Sequence, residues 1–334
     1  MNGVSVIICS YNGADKLPAT LKSLSEQIVL PGIPFEIVLI NNNSTDDTAS
    51  VVRQTWASLD EPFPLRIFDQ PIPGLSYARA MGIMSAQYEY LIFCDDDNWL
   101  CKDYLSKVYS LFRTKAEIAM IGGVGEPVFE KPPPAWFYEL EGFGYALGTE
   151  GRQTGYVDLV YGAGMAIRKS VLENITGRNF AFVLSDRNGK GLSSGGDSEL
   201  CLLICLTGNK IFLDTSLVFQ HFMTKDRMNW KYYLRLRRSF GKANAYLELY
   251  NRVYHKNGES IELNPLGQYL LLGKVMIRFF PYLVYPEGFK NAQCANVVQR
   301  VTRQITLIRE RKKLRNASVQ VVNNLKAMGL FKPN

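Results

Sequence analysis

Tyr90-Leu91-Ile92-Phe93-Cys94 is an unbroken apolar run, and Asp95-Asp96-Asp97 comes directly after it. Read as a strand, five successive apolar residues must be covered on both faces. Three adjacent carboxylates cannot be covered with them, because they repel one another and burial of unpaired charge is costly. The strand must therefore deliver its carboxyl end to a crevice that holds a cation or a cationic ligand. Oxygen donors suit Mg2+ or Mn2+, which reach proteins largely through one or two carboxylates plus substrate phosphates. The feature points to a metal-dependent enzyme acting on a diphosphate. The competing reading is a solvated acidic turn capping a helix that begins near Trp99; Asp does favour that position, but one Asp would suffice.

The chain has 334 residues, 47% of them apolar and 12% aromatic, enough for one large domain or a domain with an appendage. Met1-Asn2-Gly3 runs straight into Val4-Ser5-Val6-Ile7-Ile8, so no signal peptide is expected. Six cysteines show no metal-type spacing, the pattern of reduced, cytoplasmic thiols. The net charge of +7 conceals an asymmetry: residues 1–224 carry 17 Lys and Arg against 25 Asp and Glu, whereas the remaining 110 carry 21 against 6. The basic end is expected to face something anionic, a membrane leaflet or nucleic acid.

Over the first 120 residues apolar runs alternate with helical spacing. Strands are expected at Val4–Ser10, Phe35–Ile40, Leu65–Phe68, Tyr88–Cys94 and Ile118–Gly122. Helices are expected at Leu17–Gln27, Thr45–Ser58 with Ser44 as cap, Ser76–Ala86 and Trp99–Lys115. Such alternation implies an α/β fold with a mostly parallel, doubly wound sheet, whose ligand sits beyond the carboxyl ends of the strands. Tyr11-Asn12, Asn41–Asn43 and Asp95–Asp97 all fall at such ends and should converge. Beyond Gly123 the pattern is irregular: a proline-rich loop from Lys131 with Trp136 at an exposed tip, a glycine-rich Gly142–Gly155 containing Tyr145, a returning strand over Asp158–Ile167, a helix after Ser193–Gly196 and a strand over Lys210–Phe222. From Met228 the chain is basic and helical. Leu263–Val284 is apolar but interrupted by Lys274, Arg278, Pro265 and Pro281, which excludes a span needing ~20 apolar residues and favours an interfacial helix. Val298, Val301, Ile305 and Ile308 mark an amphipathic basic helix, suited equally to packing on the body, to a dimer, or to an anionic membrane.

Five segments now stand in a telling order: Val4–Asn12, Val38–Thr48, Gly74–Gly82, Phe93–Asn98 and Gly195–Leu200. Together they resemble the family-two inverting glycosyltransferases with a GT-A fold, over roughly residues 3–225. The resemblance implies a GT-A domain at 1–225, with a nucleotide-sugar half at 1–122 and an acceptor half at 123–225, and then a basic helical extension at 226–334. It implies transfer of a sugar from a UDP-, GDP- or dTDP-sugar to an acceptor hydroxyl on a glycan or lipid-linked acceptor, with inversion, in polysaccharide synthesis; the basic, amphipathic tail favours the cytoplasmic face of a membrane.

The same resemblance assigns residues. Asp97 is expected to touch Mg2+ or Mn2+, with Asp95 nearby and also on the ribose, and Asp96 behind them. Tyr11, Asn12, Asn41 and Asn43 are expected around base and ribose; Asn41 stands where the family often has an Asp, which leaves the base open. Asp197, after its glycine-rich lead-in, is the candidate general base, or else a helix N-cap. Arg79 would pair with Asp95, reach a phosphate or meet a surface Glu; His221 would complete the metal shell or be structural. Arg235, Arg237, Arg238 and Lys242 would clamp the diphosphate or form a solvated face, and Trp136 and Tyr145 would stack on an acceptor sugar. Two rivals are weaker. A sugar-phosphate nucleotidyltransferase should carry a glycine-rich basic loop after the first strand, which Ser10–Lys16 is not. A nucleic-acid binder lacks a recognition signature in the basic end, so no nucleic-acid partner is expected.

Overall fold

The structure, a computed structural model, describes residues 1–140, 145, 153–177, 180–184, 195–255 and 265–330. Most of the glycine-rich segment 142–155, and Ser193 and Ser194, therefore lie outside the described residues. The strands are β1 Val4–Ser10, β2 Phe35–Asn41, β3 Leu65–Asp69, β4 Tyr90–Asp95, β5 Asn98–Leu100, β6 Ile118–Phe129, β7 Gly155–Val157, β8 Ala166–Arg168 and β9 Lys210–Met223. The helices are α1 Leu17–Ser25, α2 Thr48–Ser58, α3 Leu75–Ser85, α4 Tyr104–Thr114, α5 Ala135–Glu139, α6 Lys169–Ile175, α7 Gly196–Leu206, α8 Trp230–His255, α9 Pro265–Arg278, α10 Phe280–Val284, α11 Ala292–Arg309 and α12 Arg311–Ala327.

One sheet runs in the order β3-β2-β1-β4-β8-β6-β9-β5, with β7 also on β9. Its first four strands are parallel, with Ser10 opposite Asn41 and Cys9 opposite Asp95, so the polar ends of β1, β2 and β4 finish level. This is why Tyr11, Asn43 and Asp95 share one rim. The sheet is less parallel than the alternation implies, because the short β8 inserts antiparallel between β4 and β6. Trp99 and Leu100 form an edge strand on β9 rather than the start of a helix, and α4 begins only at Tyr104. Nor does Ser44 cap α2: its hydroxyl accepts from the Asn12 backbone N–H, and Asp46 takes the N–H and hydroxyl of Thr48 instead.

Both faces of the sheet are covered, as continuous apolar strands require. On one face Leu17, Leu21 and Leu24 of α1, Trp56 of α2 and Phe112 of α4 pack on Val6, Ile8 and Ile92. On the other, α3, α6 and α7 share a cluster with Tyr246, Tyr250 and Val253 of α8, Leu307 of α11, and Leu314, Val321 and Leu325 of α12. Of the seam expected in the basic extension, Val298 and Val301 are buried, while Ile305 and Ile308 are half-buried. A third cluster is aromatic, and it corrects the loop reading: Trp136 is buried, edge-on to Trp230 at 5.1 Å, and is not available to stack on a sugar.

Helix α3 can lie close to the sheet only because Gly82 has no side chain. A Cβ there would lie well inside contact distance of Ile7 Cγ2 on β1. Gly82→Ala is expected to cost about 1–3 kcal/mol through overpacking. A thermal melt showing no decrease would refute that close approach.

Candidate active site

The three aspartates leave β4 in three different environments. Asp96 turns back into the fold: Ser10 Oγ donates to its Oδ2 at 2.7 Å, and Lys16 Nζ lies 3.9 Å from Oδ1. Burial pushes its carboxyl up to about 6, despite the opposing pull of Lys16. Thr20 Oγ1 donates to the Asp96 carbonyl at 2.8 Å, so this turn is fastened to α1. Asp95 faces the cleft at the strand end. Asp97 has a side chain only 6% exposed, with Arg227 Nη2 3.0 Å from Oδ2 and His221 Nε2 3.8 Å from Oδ1. The antiparallel pairing of β5 with β9 sets Asn98 opposite His221, which brings the imidazole to the acidic turn.

Arg227 also lies 3.0 Å from His221 Nε2 through its Nη1. A guanidinium has no acceptor, so this nitrogen of His221 must carry its lone pair and the imidazole is neutral. Burial works against the charge of Arg227, but Asp97, with help from Asp95, outweighs it and raises the guanidinium's pKa.

The acidic turn and Asp197 line the same cleft of about 950 Å3. Gly195, with φ of 123°, caps α7, and Asp197 stands in the first turn of that helix. Gly162 N–H donates to Asp197 Oδ2 at 3.1 Å and Ser198 N–H to Oδ1 at 2.8 Å, which orients the carboxylate. Gly162 is held between two groups: a Cβ there would lie 3.1 Å from Arg79 Nη2 and 3.6 Å from Asp197 Oδ2. Arg79 is therefore beside Asp197, with its guanidinium 5.6 Å from the Phe93 ring centre. Glu199 braces this region from behind, accepting from the Val183 and Leu184 N–H groups, both at 2.8 Å, and from Tyr250 Oη at 2.5 Å.

Of the residues expected around the donor, Tyr11, Asn43, Arg79, Asp95 and Asp96 line the cleft. Asn12 and Asn41 do not. Asn12 ties the β1 loop to the β2 loop, its Oδ1 accepting from Thr45 N–H at 2.8 Å. Asn41 donates to Asp69 Oδ1 at 2.8 Å. Of the expected clamp, only Arg237 is turned inward, donating to Asn296 Oδ1 at 2.7 Å; Lys242 pairs with Glu310 at 2.9 Å. Tyr145 lines the cleft, but its ring stacks on Tyr233 at 5.2 Å and its hydroxyl donates to the Arg227 carbonyl at 2.9 Å. Arg227 and Lys16 enter the site without any motif to announce them. Asn42 is a hidden support, fastening the loop before α3 through bonds to Ile72 O and Gly74 N–H at 2.7 and 2.8 Å.

Among the described residues no three His, Cys, Asp or Glu side chains form a ligand set. Asp97 and His221 nevertheless fit a divalent ion completed by substrate phosphates, since carboxylate oxygen and neutral imidazole nitrogen suit Mn2+ and face the same space.

The model of the family described as glycosyl transferase family 2 matches residues 5–176, just over half the chain and the whole span from β1 to α6. The chain belongs to this family. Among curated proteins that it resembles, the cholesterol galactosyltransferase of Borreliella burgdorferi is 33% identical over 114 residues, covering 34% of this chain and 30% of its own length. The putative glycosyltransferase EpsH of Bacillus subtilis is 29% identical over 105 residues, covering 31% and 29%. The chain thus spans less than a third of the length of these two relatives. A solved structure of S. aureus TarS 1–349 in complex with UDP-GlcNAc has a TM-score of 0.51 and 16% identity over 91% of both chains, a likeness of GT-A fold that extends through the C-terminal helices.

Proposed function

We propose that this family-two protein moves a sugar from a nucleotide-sugar to an acceptor hydroxyl with inversion at the anomeric carbon. One observation carries the reading: the acidic turn Asp95–Asp97 and an oriented carboxylate, Asp197, line the same cleft. The carboxylate of Asp197 takes the proton of the acceptor hydroxyl as its oxygen bonds to the anomeric carbon. The bond from that carbon to the donor phosphate breaks, and negative charge develops on the departing diphosphate. Lys16, Arg79 and Arg227 line the cleft to meet that charge. Mg2+ or Mn2+, held by Asp97 and His221 with Asp95 near, would supply Lewis-acid neutralisation. TarS binds UDP-GlcNAc, which supports a nucleoside-diphosphate donor. A putative teichuronic acid biosynthesis glycosyltransferase, TuaG of Bacillus subtilis, is 31% identical over 104 residues, which supports an acceptor in cell-surface polysaccharide. The test is thermal stabilisation by UDP, GDP, dTDP and CMP, each with Mn2+. Stabilisation by one diphosphate that is lost with chelator is expected; none with any nucleotide would refute the reading.

The proposal includes a peripheral membrane contact. No helix among the described residues is long and apolar enough to cross a membrane. Yet Tyr269, Leu270, Ile277, Phe280 and Val284 are exposed along α9 and α10, with Ile277 at 83%. They fall on two consecutive helices, and Lys274, Arg278 and Lys290 stand beside them in the chain. Exposed apolar side chains with basic residues near them suit an anionic leaflet. Ile277→Asp with Phe280→Asp is expected to abolish sedimentation with phosphatidylglycerol vesicles while leaving the melting temperature unchanged. Undiminished sedimentation would remove this face from the membrane.

A further inference from the structure

Arg227 occupies an unusual position for a residue of a metal-assisted site. Its Nη2 lies 3.0 Å from Asp97 Oδ2 and its Nη1 3.0 Å from His221 Nε2. These are the two groups that would ligate a divalent ion, and the guanidinium engages both: the carboxylate charge of one and the lone pair of the other. A cation already stands where a cation is needed. Arg227 sits at the end of a short turn, Lys225–Arg227, between β9 and α8, and its carbonyl accepts from Tyr145 Oη at 2.9 Å. Its side chain is 20% exposed toward the cleft, so it is neither sealed in the core nor free in solvent.

We propose that Arg227 is a placeholder cation, which holds Asp97 and His221 until a divalent ion is taken up and then passes to the donor's diphosphate. The inference rests on the metal-assisted transfer reading and adds to it a competition. Arg227 must leave His221 for an ion to be held by both groups, because Nε2 has a single lone pair and it faces the guanidinium. Once released, the guanidinium lines the same cleft as Arg79 and Lys16, where a diphosphate would be held, and its planar fork suits phosphate oxygens. Before loading, the exchange keeps Asp97 from standing as an unpaired buried charge.

The competition has a signature that a merely structural role would not give. Removing Arg227 should tighten the bare metal and weaken the nucleotide. Mn2+ binding is measured on the full chain without nucleotide, by the loss of the free-ion electron paramagnetic resonance signal, for wild type, Arg227→Gln and Arg227→Met; the last keeps the aliphatic packing. Both variants are expected to bind Mn2+ at least about tenfold more tightly, from the removal of one positive charge a few Å away. With Mn2+ saturating, both should bind the diphosphate that stabilises wild type several-fold more weakly. Equal or weaker Mn2+ binding in both variants overturns the proposal. An Asp97→Asn control separates the two ideas. If Asp97→Asn loses Mn2+ but the Arg227 variants do not tighten it, the placeholder is wrong and the metal reading stands. If wild type and all variants fail to bind Mn2+, both are wrong.

Discussion

Asp97→Asn is expected to lower Mn2+-dependent turnover of the nucleotide-sugar by about 10²–10³-fold, the range found when one preorganised electrostatic partner is removed from a reacting centre. The expectation comes from position. Asp97 is the most buried of the three aspartates and faces both Arg227 and His221. Asparagine keeps the size of the side chain and one oxygen for the Arg227 guanidinium, but removes the charge that would hold a divalent ion. The fold should survive, because Arg227 is partly exposed and the adjoining backbone is tied independently, with Phe222 N–H donating to the Asp97 carbonyl at 2.8 Å. Two measurements check this: kcat/KM as a function of Mn2+, and a melting curve. A variant that melts normally and retains Mn2+-dependent turnover would remove Asp97 from the site. One that fails only by melting early would make it a structural residue.

Much of the sheet was legible because its central strands are buried on both faces. Val4–Ile8, Phe35–Ile40 and Tyr90–Cys94 read as strands with no neighbour known, and the stretches between them leave room for helical crossovers. The cleft was legible for the same reason: parallel strands of matched register end together, and the residues just beyond their ends are polar. Sequence could not disclose whatever depends on distant pairing. β5 has three residues and no periodicity of its own, and it is a strand only because β9 lies beside it, with Leu100 opposite Phe219. Trp136 comes soon after three prolines and has the local composition of an exposed loop, yet Trp230 and Tyr233 bury it from nearly a hundred residues away. Arg227 carries no motif. It reaches Asp97 through a chain separation of 130 residues, and nothing near it in sequence distinguishes it from Arg235 or Arg238. Nor does local polarity disclose that Asn12 and Asn41, at the ends of β1 and β2, use their side chains on Thr45 and on Asp69 at the end of β3.

Asp197→Asn separates catalysis from architecture at the other side of the cleft. A carboxylate that removes a proton in the transition state typically contributes 10²–10⁴-fold, so kcat for sugar transfer is expected to fall by about that factor. Donor binding should not change, because the residues lining the donor end, Tyr11, Asn43 and the acidic turn, are untouched. The cost to the fold should be small. Asn retains one carbonyl oxygen for either Gly162 or Ser198 N–H, and the loss of the other bond is worth ~1 kcal/mol. Asp197 is not the cap of α7: Gly195 holds that place, and Asp197 stands in the first turn, where its charge merely favours the helix N-terminus. The pH profile gives the sharper readout. The acid limb of kcat/KM reports the ionisation of the free enzyme's base, so it should be present in wild type and absent from the residual activity of the variant. A variant with the wild-type acid limb and unchanged kcat would exclude Asp197 as the base.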